Sequence, residues 1–308
     1  MIKHLVFLII LATSPALMAL EYGGAIENTQ WQVSGSVFEC RFEQTVPGYG
    51  TGVFYHRAGE DIQFRLEAVR NLMAYSNAQV GIMPAAWQPS RKSEPLGTAK
   101  IVKESPNLSL DSKRSNQFLH ALLEGKQPAV SHYTYYDQQR FVGVRLSAAS
   151  FQDYYPQYLQ CVNQLLRVNF DQVKQQRVLF QSNGHNLTPT ATKQLEDISY
   201  YIKNDPRVTA VYLDGHTDSI GRRFANREIS HARAQKVEQF LINNGVNPDI
   251  ISTRFHGDRY PIATNKTAAG RAANRRVAIE LEQNMDILIP DELIFRPHEI
   301  ISAKTAAN

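Results

Sequence analysis

The sequence predicts two domains: an N-terminal domain that is mostly antiparallel β, as a barrel or sandwich, and a C-terminal α+β domain of the βαβαββ type. The length of 308 residues is typical of two domains. Residues 31–146 alternate apolar and polar side chains in short runs bounded by Gly, Pro and Asp, as antiparallel strands do. From residue 178 the spacing changes to strand, helix, strand. We expect the domains to cover residues 20–168 and 169–284.

The first 19 residues have the features of a secretory signal peptide. Lys3 precedes an apolar run over residues 5–12, and small residues stand at Ala16 and Ala19. No later stretch approaches the twenty apolar residues of a membrane-spanning helix, and no cysteine near Ala19 offers a lipid attachment point. We therefore expect an exported, periplasmic protein without a transmembrane segment in its mature chain.

The net charge and the cysteine content narrow the class of protein further. A formal net charge of +4 does not indicate a nucleic-acid partner, and export makes one less plausible. Cys40 and Cys161 are the two cysteines of the chain. An even count in an oxidising compartment predicts a disulfide between them. The alternative, a metal pair, lacks companion ligands at metal spacing.

The first domain is predicted to contain five strands and two helices. A last helix that carries Cys161 would close the domain against the strand of Cys40. His56, His120 and His132 show no catalytic pattern and are expected to be structural. The predicted strands are 37–42, 62–66, 100–103, 131–136 and 140–146, with a hairpin turn at 137–139 and helices at 116–123 and 153–166.

Tyrosines and a phenylalanine cluster near the predicted hairpin of the first domain. Tyr133, Tyr135, Tyr136 and Phe141 could form a contact surface for a partner, since tyrosine is enriched at interfaces. Core packing and strand propensity explain the cluster equally well. Both interpretations stay open at this point.

The second domain begins with a strand near residue 178 and a well-capped helix. Thr188 and Pro189 supply an N-cap and a first-turn proline, and residues 191, 195, 198 and 202 form an apolar stripe. A strand over 208–213 and a helix that carries Arg233 and ends at Gly245 follow. Alternating residues predict the last two strands at 251–255 and 277–281.

A candidate ligand site follows the 208–213 strand. Asp218 lies just beyond it, at the carboxyl end where open α/β sheets bind ligands. Asn226, Ser230 and Arg233 share one face of the next helix, because they follow i, i+4, i+7 spacing. Asp218 could hold a ligand ammonium and Arg233 its carboxylate, at about 1.5–3 kcal/mol for each charged hydrogen bond. The alternative is an Asp218–Arg233 ion pair on a solvated surface.

The spaced residues of this region resemble the OmpA-type peptidoglycan-binding domain over about residues 178–283. The resemblance implies that Asp218 and Arg233 grip the amino and carboxyl groups of diaminopimelate in the peptidoglycan peptide stem. It also places Asn226, Thr217 and the Asn274-Arg275-Arg276 run near the pocket. The residues that carry it are Gly215-His216-Thr217-Asp218, Gly221, Asn226, Ser230, Arg233-Ala234, Gly257, Pro261-Ile262-Ala263, Asn265 and Asn274-Arg275-Arg276-Val277.

The binding residues expected on this basis are Asp218, Arg233, Asn226, Thr217, Asn274 and Arg276. We expect neither Asp218 nor Arg233 to belong to the apolar core, so that alanine at either position leaves folding largely intact. Residues 266–276 contain four cations and no acidic residue. They are read as a solvated loop or as a contact for anionic wall polymers.

Together, the signal peptide, the β-rich first domain and the wall-binding second domain resemble the MotY family of sodium-driven polar flagellar motors. The resemblance implies a non-enzymatic protein whose first domain joins a ring around the basal body, with MotX as partner. It would help to recruit stator units, while the second domain anchors the ring to peptidoglycan. No cofactor is expected. Residues 285–308 form an extension of unknown role.

Three alternatives remain. The chain could be a general envelope-tethering, peptidoglycan-binding protein unrelated to motility. An integral outer-membrane barrel is disfavoured, because charged residues lie on both faces of the predicted strands. A wall-active zinc enzyme could use His216 and Asp218 with His185 or His256. The sequence contains neither a His-x-x-x-Asp nor a His-Glu-x-x-His run that would support the enzyme.

Overall fold

The computed structural model describes residues 20–23, 29–69, 73–74, 76–85, 87–88, 91–136, 140–182 and 184–297. The predicted signal peptide at 1–19, the predicted hairpin turn at 137–139 and the end of the extension at 298–308 lie outside these ranges. In the described part of the chain, no helix combines the length and the apolar character needed to cross a membrane.

The N-terminal domain contains two open sheets that share one hydrophobic core. One sheet has the order β1-β10-β9-β6-β7, and β2-β3-β4-β5-β8 belong to the other. Neither closes into a barrel, so the sandwich alternative is the one that agrees with the structure. The strands are β1 (Leu20–Gly23), β2 (Trp31–Ser36), β3 (Glu39–Val46), β4 (Gly50–Arg57), β5 (Gln63–Ala68), β6 (Asn77–Met83), β7 (Glu94–Lys100), β8 (Leu108–Leu110), β9 (Gln127–Tyr133) and β10 (Phe141–Arg145).

Two helices complete this domain, α1 (Ser112–Leu123) and α2 (Phe151–Asn163). The side chain of Asp111 caps α1 by accepting a hydrogen bond from the Arg114 amide. Helix α2 packs on β2 and β3 and carries Cys161, which is bonded to Cys40 of β3. The predicted disulfide is therefore confirmed. Aromatic side chains fill the space beneath α2, with the Trp31 ring 4.7 Å from that of Phe42.

The errors in strand prediction have local causes. Strand β4 was missed because residues 52–55 are all buried, so its sequence does not alternate. The strand predicted at 100–103 is wrong, since β7 ends at Lys100 and Ile101 makes an isolated bridge to Leu108. Pro106 soon follows, and proline has no N–H with which to continue a ladder.

The C-terminal domain has the predicted βαβαββ order, with two further short helices, one before the first strand and one between the last two strands. Its sheet order is β11-β14-β12-β13; β12 and β13 run parallel and the other pairs antiparallel. Of the two interpretations of residues 266–276, the solvated loop is wrong, because α6 lies within this segment. The elements are α3 (Phe170–Val173), β11 (Gln175–Leu179), α4 (Pro189–Asn204), β12 (Val208–Gly215), α5 (Arg223–Asn243), β13 (Ile251–Phe255), α6 (Ala268–Asn274) and β14 (Arg276–Gln283).

The last described segment returns to the N-terminal domain. Strand β15 (Ile294–Phe295) pairs with β2 at the edge of the second sheet, and the Val37 amide donates to the Leu293 carbonyl at 2.9 Å. Phe295 is buried in the N-terminal core. Most of the extension therefore has a defined place, which no local pattern in the sequence indicated.

Candidate ligand-binding site

The site lies beyond the carboxyl end of β12, where helix α5 approaches the strand closely. A Cβ atom on Gly215 would stand 2.2 Å from the Ser230 carbonyl oxygen, so only glycine permits this approach. The amides of His216 and Thr217 donate to the carbonyls of Arg276 and Gly257. These contacts hold residues 216–218 in place between the ends of β13 and β14.

Asp218 is buried and its two carboxylate oxygens have different partners. One oxygen accepts a hydrogen bond from the Ile220 amide at 3.1 Å. The other accepts from Arg275 Nη1 at 2.9 Å, in an ion pair whose side chains are 8% and 16% exposed. The predicted alternative of an ion pair with Arg233 on a solvated surface is wrong, because Arg275 takes this place.

Arg233 is 1% exposed and donates to the protein backbone. Its Nε, Nη1 and Nη2 donate to the carbonyls of Gly184, His216 and Gln181 at 2.9, 3.2 and 3.0 Å. The pKa of Arg233 is lowered to about 10, mainly by burial and then by the Arg275 charge, while the Asp218 charge opposes both. Arg233, Arg275 and Asp218 therefore form one electrostatic group.

The burial of Arg233 contradicts one expectation from the sequence. We expected an alanine at 233 to leave folding largely intact. Three backbone carbonyls would lose their donor in that variant; the His216 carbonyl is buried, and a buried polar group without a partner is destabilising. The spacing of α5 located Arg233 on the correct face, but it could not show how deeply the guanidinium lies.

Two further predicted residues support the site from α5 and the turn before it. Asn226 Nδ2 donates to the Asp218 carbonyl at 3.3 Å and is 3% exposed. Ser230 Oγ donates to the Arg227 carbonyl and accepts from the Gly257 amide at 3.0 Å. Both side chains position backbone rather than point freely into a pocket.

The structure also places Asn274 and Arg276 as supports of the neighbouring loop. Asn274 Oδ1 accepts from the amides of Ile262 and Ala263, and its Nδ2 donates to Ala263 and Asn265. Arg276 Nη2 donates to the Tyr260 carbonyl at 3.1 Å. The side chain that reaches Asp218 is that of Arg275, which we did not include among the expected binding residues.

Thr217 and His216 each bury a polar atom that has no partner in the described part of the chain, Thr217 Oγ1 and His216 Nδ1. The His216 ring stacks on His256 at 5.1 Å. The pKa of His216 is lowered to about 4, mainly by burial and then by the charges of Arg276 and His256, while Asp214 opposes them. His216 therefore remains neutral at ordinary pH, and the hydroxyl of Thr217, the residue before Asp218, is a buried polar group without a partner among the described residues.

Two of the side chains considered for zinc already have partners. His256 Nε2 lies 2.7 Å from Asp214 Oδ1, and Asp218 is paired with Arg275. Within the ranges that the structure describes, no group of three or more His, Cys, Asp and Glu side chains could hold a metal ion.

Comparison with known proteins connects both halves of the chain to known families. Residues 22–167 match the MotY N-terminal domain and residues 179–275 match the OmpA family. A relative, the sodium-type flagellar protein MotY of Vibrio parahaemolyticus, is 27% identical over 273 residues, 88% of this chain and 93% of the relative. The probable lipoprotein YiaD of Escherichia coli is 40% identical over 104 residues, 34% of this chain and 47% of the relative.

A solved structure, the C-terminal domain of Helicobacter pylori MotB, is also similar to this chain. The two sequences are 27% identical, the match covers 36% of this chain and 87% of the MotB chain, and the TM-score is 0.34.

The family matches first define a class, a chain whose C-terminal half contains an OmpA family domain. Its N-terminal half is a MotY N-terminal domain. The chain thus combines a MotY N-terminal domain with an OmpA family domain and is similar to a sodium-type flagellar protein MotY along most of its length, so the resemblance predicted from the sequence is confirmed.

Proposed function

We propose that this protein is a non-enzymatic, periplasmic component of a sodium-driven flagellar motor. Its C-terminal domain binds the peptide stem of peptidoglycan and anchors a ring at the basal body. Its N-terminal domain joins that ring, with MotX as partner, and helps to recruit and stabilise stator units. The ring roles rest on the MotY N-terminal domain and on the similarity to MotY along most of the chain.

One observation carries the wall-binding part of the proposal: Asp218, Arg233 and Arg275 form one buried charged group at the end of β12. A carboxylate and two guanidinium groups are suited to an amino acid end that carries both an ammonium and a carboxylate. Diaminopimelate supplies such an end in the peptide stem. Thr217, Asn226, Asn274 and Arg276 belong to the same proposed site, as a free hydroxyl and as supports of its loops.

Weak individual contacts are sufficient for this role. A ring contains many copies, and simultaneous contacts raise the total avidity far above the affinity of one site. An anchor of this kind resists the reaction torque on a stator without needing a tight single site.

A pulldown on isolated peptidoglycan sacculi tests the wall-binding step. We expect Asp218→Ala to reduce binding by roughly 10-fold or more, because the site loses its carboxylate. Asp249→Ala is the matched control, since Asp249 is an exposed aspartate of the same domain. Equal sacculus binding by the wild type and a folded Asp218→Ala variant would contradict the proposed site.

Motility of the same strains tests the motor role. We expect a deletion strain, and a strain with Asp218→Ala, to swim poorly while the wild type and Asp249→Ala swim normally. Normal swimming by the deletion strain, together with a fragile envelope, would favour the alternative of a general envelope-tethering protein.

A further inference from the structure

The charges at the ligand site do not balance. Asp218 and Arg275 neutralise each other at 2.9 Å. Arg233 is 1% exposed, and no carboxylate of the described residues lies within ion-pair distance of its guanidinium. The group therefore buries one uncompensated positive charge, and burying an unpaired charge is unfavourable.

The lowered pKa of Arg233 agrees with this uncompensated positive charge. Burial is the main reason that its pKa falls, and the Arg275 charge adds to the fall more than Asp218 opposes it. The ion pair of Asp218 and Arg275 thus makes the charged form of Arg233 less favourable. An anion in the site would relieve Arg233 without disturbing any contact that is already made.

Hydrogen-bond donors are available for such an anion. A guanidinium has five N–H groups, and Arg233 uses one on each of three carbonyls, so two have no partner in the described part of the molecule. Arg275 donates through Nε to the Phe180 carbonyl and through Nη1 to Asp218. Its Nη2 has no partner within the same described ranges.

An ammonium meets a different situation at this site. Asp218 already holds Arg275, and its other oxygen accepts from the Ile220 amide. An ammonium that replaced Arg275 would leave two guanidinium groups close together with no carboxylate between them. A ligand that brings its own carboxylate avoids this cost, since that group can pair with both arginines.

We infer that Arg275, which pairs with Asp218, is a third ligand-binding residue, and that the site selects its ligand by carboxylate first and ammonium second. Binding of an amino acid end is then an exchange of ion pairs: the ligand ammonium takes Asp218, and Arg275 joins Arg233 on the ligand carboxylate. This inference rests on the proposed function, because it concerns the same site.

Three small probes of matched carbon chain separate the two charges: meso-diaminopimelate, pimelate without amino groups, and 1,5-diaminopentane without carboxylates. Calorimetric titration of the full chain is expected to give the affinity order meso-diaminopimelate, pimelate, 1,5-diaminopentane. We expect about 10-fold between the last two, equivalent to one lost charged hydrogen bond. Equal or tighter binding of the diamine than of pimelate would overturn the inference.

The variant Arg275→Met tests whether Arg275 covers Asp218. We expect it to weaken pimelate binding and to strengthen 1,5-diaminopentane binding, because Asp218 becomes open. Arg275→Lys keeps the charge and should keep pimelate ahead of the diamine. Lys236→Met, which removes an exposed cation of the same domain, should leave the order unchanged. A structural role for Arg275 would weaken both probes alike and would contradict the inference.

Binding to sacculi, measured in parallel, distinguishes the inference from the proposed function. If the wild type binds sacculi but binds 1,5-diaminopentane more tightly than pimelate, only the preference for carboxylate over ammonium is refuted. If the probes bind in the predicted order but the wild type does not bind sacculi, peptidoglycan anchoring is refuted and the preference for carboxylate over ammonium stands. If Arg275→Met does not fold, Arg275→Lys and the wild-type probe order still decide the question.

Discussion

The two domains differ in the kinds of side chain that they bury. The interior of the N-terminal domain is filled by aromatic and aliphatic side chains around a disulfide. Within the described residues, the buried charged side chains Asp205, Asp218, Arg233 and Arg276 all lie in the C-terminal domain. Apolar burial stabilises a fold without direction, whereas buried charges require defined partners. The first domain is therefore stabilised mainly by apolar burial, whereas the second also depends on defined partners for its buried charges.

The largest expected effect concerns the N-terminal domain. The disulfide closes a sequence separation of 121 residues, and removing it in Cys40→Ala/Cys161→Ala is expected to cost about 4–5 kcal/mol. Urea unfolding followed by tryptophan fluorescence measures the loss, since Trp31 lies in that core. Sacculus binding below the unfolding transition should be retained. A loss below about 1 kcal/mol would show that the apolar core suffices without the disulfide.

The second prediction concerns the buried charge of the C-terminal domain. Arg233→Ala is expected to lower the free energy of unfolding by about 3 kcal/mol, because three carbonyls lose their donor. Arg223→Ala, an exposed arginine of the same helix, should change it by less than about 0.5 kcal/mol. Urea unfolding monitored by circular dichroism makes the comparison. Equal stability of the two variants would mean that Arg233 is not needed for folding.

The third prediction uses pH. The pKa of His216 is about 4 in the folded protein and about 6.5 in an unfolded chain. The unfolded state therefore takes up the proton first, so stability falls as the pH drops from about 6.5 to 4, by on the order of 2–3 kcal/mol. Urea midpoints between pH 7.5 and 4.5 measure this fall.

His216→Phe is expected to reduce that fall. The difference between the wild type and this variant isolates His216 from His56 and His132, whose pKa values burial also lowers. An unchanged pH profile in His216→Phe would assign the effect to the other histidines and would weaken the contrast between the domains.

The smallest effect is expected at Thr217. Thr217→Val removes a buried hydroxyl that has no partner in the described part of the chain, so stability should change by less than about 1 kcal/mol. Binding to sacculi should fall several-fold if the ligand uses this hydroxyl, with Ser219→Ala, an exposed neighbour, as the control. Unchanged sacculus binding would remove Thr217 from the proposed site.

Prediction from sequence succeeded where a pattern is local. The 3.6-residue spacing of the stripe over α4 and the cap at Thr188 are present in the structure, with Thr188 Oγ1 accepting from the Ala191 amide at 3.1 Å. Strand β4 was missed because both of its faces are buried. The spacing also placed Asn226 and Arg233 on one helical face, but it could not show that Arg233 donates to three carbonyls.

The sequence by itself determined the two-domain composition, the disulfide and the positions of the motif residues around Asp218. Only the tertiary structure decided that Arg275, 57 residues from Asp218, is its ion-pair partner, and that β15 returns to the edge of β2. Local spacing specifies which residues share one face of a helix or strand. The partner of a buried charge is set by how separate elements pack, because a desolvated charge pairs with whichever opposite charge the fold brings within reach.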